Sequence, residues 1–242
     1  MGKFFFTQPE RNGDVVCFTS SAAHHMIHVL RYRIGREIIL CDGNSTDFHA
    51  KVEGISSKPD AITFKLLSHS PSNTEPATPV TLYQGLPKSD KMDWIIEKSI
   101  EAGVHKIIPV CTARTVVKVK DASRKAERFT RISESAASQS MRGIIPMVLP
   151  PIAFSDALQK HNGDSLHLIA YENEQVRTLK DAISGLLPQP ISLWVGPEGG
   201  FDDNEIKILE ENGAIPITLG PRILRTETAS LIALAQIFCL WD

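Results

Sequence analysis

The sequence has few features that declare a class by bulk. Its four cysteines, Cys17, Cys41, Cys111 and Cys239, lie far apart with no C-x-x-C spacing, which excludes a disulfide framework and a thiolate zinc site. The amino terminus lacks a basic-then-apolar leader, so a reducing, cytoplasmic setting is expected. The longest near-apolar stretch, Leu231 to Trp241, is broken by Gln236 and falls far short of the ~20 residues that span a bilayer. No membrane partner is expected. Net charge is almost absent, with Lys+Arg 26 against Asp+Glu 28, and taken alone this argues mildly against a polyanionic partner. Repeats and low-complexity tracts are lacking too. What is present is ordinary globular material: 42% hydrophobic residues in a chain of 242, enough for one large or two unequal domains.

Between Ser68 and Pro79 the chain carries three prolines and no large aliphatic residue, the best linker candidate. It suggests a division into residues 1–72 and 77–242. Ahead of it, short β-like runs (Val15 to Thr19, Glu37 to Cys41, Phe48 to Ile55, Ala61 to Leu67) alternate with turn signals such as Asp42-Gly43-Asn44. They predict a small barrel interrupted by one helix from about Ser21 to Arg33. Beyond it, strands at Val80 to Gln84, Lys106 to Val110, Met147 to Leu149, Leu166 to Tyr171, Ile191 to Val195 and Pro216 to Leu219 alternate with helical segments. A helix capped by Ser89 carries Met92, Ile95, Ile96 and Ile100 on one stripe. Another, about Ser123 to Ser140, sets Ala126, Phe129, Ser133, Ala136 and Ala137 against a basic side. Further helices are expected around Phe154 to Lys160, Thr178 to Leu186, Asp203 to Asn212 and Thr226 to Leu240. This alternation predicts an α/β domain with a mostly parallel sheet, whose ligands sit outside the carboxyl ends of the strands.

Two such loops carry chemistry. Gly196-Pro197-Glu198-Gly199-Gly200-Phe201-Asp202 has three glycines within five residues, allowing close backbone approach to a ligand, and Asp202 with Glu205 makes a capping box for the next helix. It is neither a dinucleotide fingerprint nor a P-loop; it is either a ligand cradle or a plain strand-to-helix turn. Gly220-Pro221-Arg222-Ile223-Leu224-Arg225-Thr226-Glu227-Thr228-Ala229 places two arginines and a glutamate at a strand end. Such groups are costly near a core unless paired or used; a surface pair of Glu227 with Arg222 or Arg225 is the simpler alternative. His24 and His28 stand at i, i+4, but no Cys or carboxylate at ligand spacing completes a site, so no metal is expected.

These two loops, taken in order, resemble the signature of the SPOUT methyltransferases, and within them the ribosomal RNA small subunit methyltransferase E family. Lys88-Ser89-Asp90-Lys91-Met92, Glu101-Ala102-Gly103-Val104, Arg114-Thr115-Val116-Val117, Gln139-Ser140-Met141-Arg142 and His24-His25-Met26 extend the resemblance along nearly the whole chain. It implies a PUA-like N-terminal barrel that binds RNA and a catalytic domain with a deep trefoil knot. It also implies a homodimer. S-adenosyl-L-methionine would be cradled by Tyr171 and Glu172, by Gly196, Pro197, Glu198, Gly199 and Gly200, and by Leu219, Gly220, Ile223, Leu224, Arg225 and Thr228. The implied reaction is methylation of N3 of a specific uridine in 16S rRNA of the small ribosomal subunit. A different RNA such as tRNA, or a non-catalytic ribosome-assembly role, is the alternative. Three positions depart from the family pattern: Lys3 where an arginine is common, Ser138 where a glutamate is usual, and Met141 in place of a small residue.

Methylating N3 requires loss of the imide proton and stabilisation of charge spreading onto O2 and O4. Arg225, a fixed cation with several donors, suits that stabilisation; Glu198 or Glu227 could take the proton or orient Arg225. Charge counted by region also changes the RNA argument. Residues 73 to 142 hold 12 basic and 8 acidic groups, whereas residues 143 to 242 hold 6 and 13. A phosphate-binding face is expected from Arg114, Lys118, Arg124, Lys125, Arg128 and Arg142, with Lys3 and Arg31 added from the first domain. Reversing Arg124, Lys125 and Arg128 to Glu should weaken binding to ribosomal RNA and flatten its salt dependence; an unchanged salt slope in filter binding rejects this face.

Overall fold

The computed structural model describes residues 2–88, 91–116, 122–160, 163 and 165–241. The chain does not divide at one point. One unit comprises residues 1–75 together with 137–145, the other residues 76–136 and 146–242.

In the first unit the strands are β1 (Phe4–Phe5), β2 (Arg11–Asn12), β3 (Val15–Thr19), β4 (Glu37–Cys41), β5 (Thr46–Ser57) and β6 (Asp60–Pro71). They form one six-stranded sheet in the order β1-β4-β5-β6-β3-β2, antiparallel except for the β1/β4 pair. Strict alternation drives it: in β5, Phe48, Ala50 and Val52 point into the core while His49, Lys51 and Glu53 face out. The core closes on Phe18, Phe64, Met26 and Leu40. The expected linker begins later than its composition suggested, because residues 68–71 are the end of β6, a stretch exposed at every residue and therefore free to be polar. The single helix expected over 21–33 is shorter and of two kinds: α1 (Ser20–His24) passes into a π-helical turn, His25–Val29.

Two cations expected to contact RNA, Lys3 and Arg142, are instead buried in this unit, 1% and 3% exposed. Lys3 Nζ donates to Asp47 Oδ1 at 2.7 Å and Oδ2 at 2.8 Å and to Ser72 Oγ at 3.2 Å. The Arg142 guanidinium pairs with the Glu75 carboxylate, which also accepts from the Gly143 N–H at 2.8 Å. A buried cation without its anion is prohibitively costly, so neither side chain is available to phosphates.

The second unit holds β7 (Val80–Gly85), α2 (Lys91–Glu101), β8 (Lys106–Cys111), α3 (Ala122–Gln139, whose last residues belong to the first unit), β9 (Met147–Val148) and β10 (Ile152–Ala153). There follow α4 (Phe154–Gln159), β11 (Leu166–Ala170), α5 (Leu179–Ile183), β12 (Ile191–Val195), α6 (Asp203–Glu211), β13 (Ile215–Ile217) and α7 (Thr226–Trp241). The strands form a wholly parallel sheet in the order β10-β8-β7-β12-β11-β13, with β9 beside β8. β12 is buried at every residue, the pattern of a strand covered on both faces. Trp194 stacks on Tyr83 at 4.2 Å and donates from Nε1 to His167 Nε2 at 3.0 Å. That bond makes the buried imidazole neutral, with Nδ1–H directed to the Asn212 carbonyl. The expected stripes are buried, Met92, Ile95, Ile96 and Ile100 on α2 and Phe129, Ser133, Ala136 and Ala137 on α3, except that Ala126 at the start of the second is only half-buried. The cap expected at Ser89 lies outside the described residues.

Burial alone would push the Glu75 carboxyl up, but Arg142 and the amide donors hold it below the usual carboxylate range. A folded-state value below the unfolded one gives stability that is present above the unfolded pKa and lost as pH falls through the folded one. Arg142→Ala should therefore cost about 3–5 kcal/mol at neutral pH, read by urea denaturation, and that cost should shrink under acid conditions.

Candidate active site

The strand register decides which loops meet. Gln84 pairs with Val195, Val195 with Ala170, and Ala170 with Ile217. The carboxyl ends of four strands distant in sequence thus lie in one row, and the loops opening at Leu86, Tyr171, Gly196 and Thr218 leave from a common edge. Between β7 and β12 the strand order reverses direction, the position where parallel sheets open a ligand crevice. The loops there are in intimate contact: a Cβ on Gly85 would stand 2.4 Å from Pro197, and one on Gly196 3.0 Å from the Gly200 backbone. Gly200, at φ +68°, would collide with Glu172 Oε1 if it carried a side chain, so Glu172 reaches the glycine loop from β11. Gly220, at φ +114°, has open space where a Cβ would stand, and Ile223 is 81% exposed beside it.

A buried hydrogen-bond chain fixes this edge. Gln84, fully buried at the end of β7, donates from Nε2 to Thr226 Oγ1 at 2.9 Å. Thr226 Oγ1 in turn donates to the Gly196 carbonyl at 2.6 Å. Ser230, one turn along α7, donates to Gln84 Oε1. The expected capping box is formed: Asp202 accepts from the Asn204 N–H at 3.1 Å and Glu205 Oε2 from the Asp202 N–H at 3.0 Å. The other Glu205 oxygen accepts from the Ala113 N–H at 2.8 Å, which ties the loop after β8 to α6. From that loop Arg114 donates to the Gly199 carbonyl at 2.8 Å, so it braces the glycine loop.

The carboxylates expected here are brought together by Lys91, a residue of the Lys88 to Met92 motif. Lys91, the first residue of α2, places Nζ 3.4 Å from Glu198 Oε1 and 3.2 Å from Glu227 Oε2. The geometry of the second contact is that of an ion pair, since Glu227 Oε2 has no well-directed hydrogen-bond donor. Glu227 therefore pairs with Lys91, not with Arg222 or Arg225. Partial burial would raise the Glu198 pKa, but its own amide, the Lys88 N–H at 3.1 Å and Lys91 outweigh it, and the carboxyl is held below its usual range. Arg225 is exposed, and among the described residues no ion pair holds its guanidinium.

The family model for the RNA methyltransferase domain matches residues 74–238, and that for the RNA methyltransferase PUA domain matches residues 18–64. The chain belongs to the ribosomal RNA small subunit methyltransferase E family. A member from Bacillus subtilis is 38% identical over 226 residues, covering 90% of this chain and 88% of its own. One from Synechocystis is 34% identical, covering 94% and 74%. The crystal structure of the member from Neisseria gonorrhoeae bound to S-adenosyl methionine superposes with a TM-score of 0.88 at 33% identity, covering 100% of this chain and 98% of that one.

Seen as a member of this methyltransferase E family, the chain concentrates its signature residues at the common strand-end edge. Tyr171, Pro197, Leu219 and Leu224 are buried or half-buried there, Thr228 sits half-buried in the first turn of α7, and Gly199 is exposed. The expected basic face is less free than its sequence implies: Arg128 pairs with Asp93 of α2. Lys118 lies outside the described residues. Arg31 is exposed at φ +55°. His24 and His28 do meet a carboxylate, contrary to expectation, because Asp60 is brought to them from 36 and 32 residues away. Sequence spacing could not show that.

Thr226 is the joint between α7 and the glycine loop. Thr226→Val keeps its shape but strands the Gly196 carbonyl and a Gln84 N–H, and should cost about 1–3 kcal/mol in urea denaturation, whereas Thr226→Ser should be close to neutral.

Proposed function

We propose that this protein transfers the methyl group of S-adenosylmethionine to N3 of a specific uridine in 16S rRNA, acting on the small ribosomal subunit or its precursor. The carrying observation is the single row of strand ends that gathers the Tyr171, Gly196 and Thr218 loops, all three bearing residues of the family signature. The edge suits a cofactor with an apolar ring and polar ends. Gly220 leaves an uncovered stretch of backbone beside Leu219, Ile223 and Leu224, and Glu172 and Glu198 supply carboxylates nearby. The bound cofactor supplies the electrophilic methyl group; the chain supplies position and charge.

Arg225 is exposed at this edge, directly before the Thr226 that bonds the glycine loop, and among the described residues no ion pair holds it; a guanidinium with several donors fits the two carbonyl oxygens that flank N3. Glu198 is held ionised and tied to the backbone by its own amide, the Lys88 N–H and Lys91. That leaves Glu227, half-buried against Lys91, as the group to receive the imide proton, with Glu198 anchoring the Lys88 backbone. Further parts of this reading are the threading of the C-terminal segment into a trefoil knot, a cytoplasmic location, a first domain that ends near residues 72–77 and takes back residues 137–145, and pairing of two chains into a homodimer.

The direct test is methyl transfer from labelled S-adenosylmethionine to assembled small subunits, naked 16S rRNA and tRNA, with the product nucleoside identified by mass spectrometry. 3-Methyluridine in 16S rRNA is the expected product; label in tRNA alone, or no transfer, overturns the assignment. Arg225→Ala should lower turnover by about 10²- to 10³-fold with cofactor affinity retained. Turnover preserved with affinity lost would move Arg225 from catalysis to binding.

A further inference from the structure

His24 and His28 project from successive turns where α1 gives way to the π-helical turn, with ring centroids 4.5 Å apart. Opposite them stands Asp60, the first residue of β6 at the tip of the β5–β6 hairpin, paired in register with Ser57. The carboxylate divides itself between the two rings: Oδ2 lies 2.8 Å from His24 Nδ1 and Oδ1 lies 3.1 Å from His28 Nε2. Two imidazole nitrogens and a carboxylate oxygen thus point at a common space, all within 4.8 Å of one another. The rings are 62% and 45% exposed, so an ion could enter without the core opening.

We propose that His24, His28 and Asp60 form a binding site for a divalent transition ion of the zinc class. Two imidazoles and a carboxylate are the donor set that borderline ions prefer over magnesium or calcium. A tetrahedral ion with bonds of about 2.0–2.1 Å needs donors about 3.4 Å apart, so side-chain rotations that draw the ligand atoms together by up to about 1.4 Å from their present span of 4.8 Å would convert the hydrogen-bonded cluster into three ligands. Water would complete the fourth position. Such an ion would staple the helical turn to the hairpin tip within the first unit. No part of the methyl-transfer site takes part, so this inference stands or falls independently of the proposed reaction.

The test is calorimetric titration of the full chain, stripped of metal, with zinc chloride in a non-chelating buffer, followed by cobalt substitution and visible spectroscopy. Expected are one zinc per chain with micromolar affinity, a cobalt spectrum of low coordination number, and a rise in melting temperature with zinc. His28→Ala and Asp60→Asn should each weaken binding by about tenfold or more, and the His24→Ala/His28→Ala double variant should abolish the melting shift. Because the rings are exposed, these variants should melt like the parent without zinc. Absence of binding at about 100 µM zinc, or equal affinity in the parent and the double variant, as thiol ligation at the exposed Cys239 would give, overturns the site.

Discussion

A single buried amide constrains the catalytic edge. Gln84 ends a central strand with no access to water, and its donors and acceptor must be met inside the protein or the strand end cannot be buried. α7 meets them through Thr226 and Ser230, spaced one helical turn apart so that both face β7. The Thr226 hydroxyl then passes the constraint on by donating to the Gly196 carbonyl. Three segments separated by up to 146 residues are locked in one arrangement, and a fully satisfied buried network of this kind specifies a unique geometry more than it adds stability. Loop positions that a flexible chain would sample are thereby narrowed to one.

Electrostatics follow the same economy. The C-terminal hundred residues are strongly acidic, which a bulk view would count against RNA. Many of those carboxylates are engaged with backbone amides: Asp181 and Thr178 cap α5, Asp202 and Glu205 cap α6, and Glu174 accepts from the Val176 and Arg177 amides. Glu198 and Glu227 share Lys91. Backbone donors leave the net charge of these carboxylates unchanged, but salt screens exposed charge beyond about a Debye length, so where the acidic groups lie matters more to an approaching nucleic acid than their formal count.

Legibility followed burial. β12, hydrophobic but for Ser192 and buried throughout, was readable to the residue, and so were the stripes of α2 and α3, because a parallel sheet with covered faces imposes long apolar patterns. The two-residue strands β1, β2 and β10 were not, since two residues carry no period. Nor can composition tell a buried lysine from an exposed one. Lys3 and Arg142 looked like phosphate ligands because their anions, Asp47 and Glu75, lie 44 and 67 residues away. Lys91 carries no such signal either: Glu198 and Glu227, the carboxylates it meets, lie more than a hundred residues along the chain and reach it only through the fold.

The departures from the family pattern at residues 3 and 138 meet through the Lys3 backbone. The Lys3 N–H donates to the Ser138 carbonyl at 3.0 Å, and the Ser138 hydroxyl returns a bond to the Lys3 carbonyl. A side chain on Gly2 would stand 2.9 Å from that hydroxyl, so the small residue at position 2 and the serine at 138 fit each other. Three residues on, the helix ends in a Schellman turn: the Arg142 N–H reaches the Ala137 carbonyl at 2.9 Å and the Met141 N–H the Ser138 carbonyl at 3.3 Å. That turn places Met141 at φ +61°, a conformation that costs a non-glycine residue about 1–2 kcal/mol. The strain is tolerated because the same turn delivers Arg142 to Glu75 and the Gly143 N–H to the same carboxylate. All three unusual positions therefore act inside the first unit, on how residues 137–145 are held against its sheet, and leave the strand-end site in the second unit untouched.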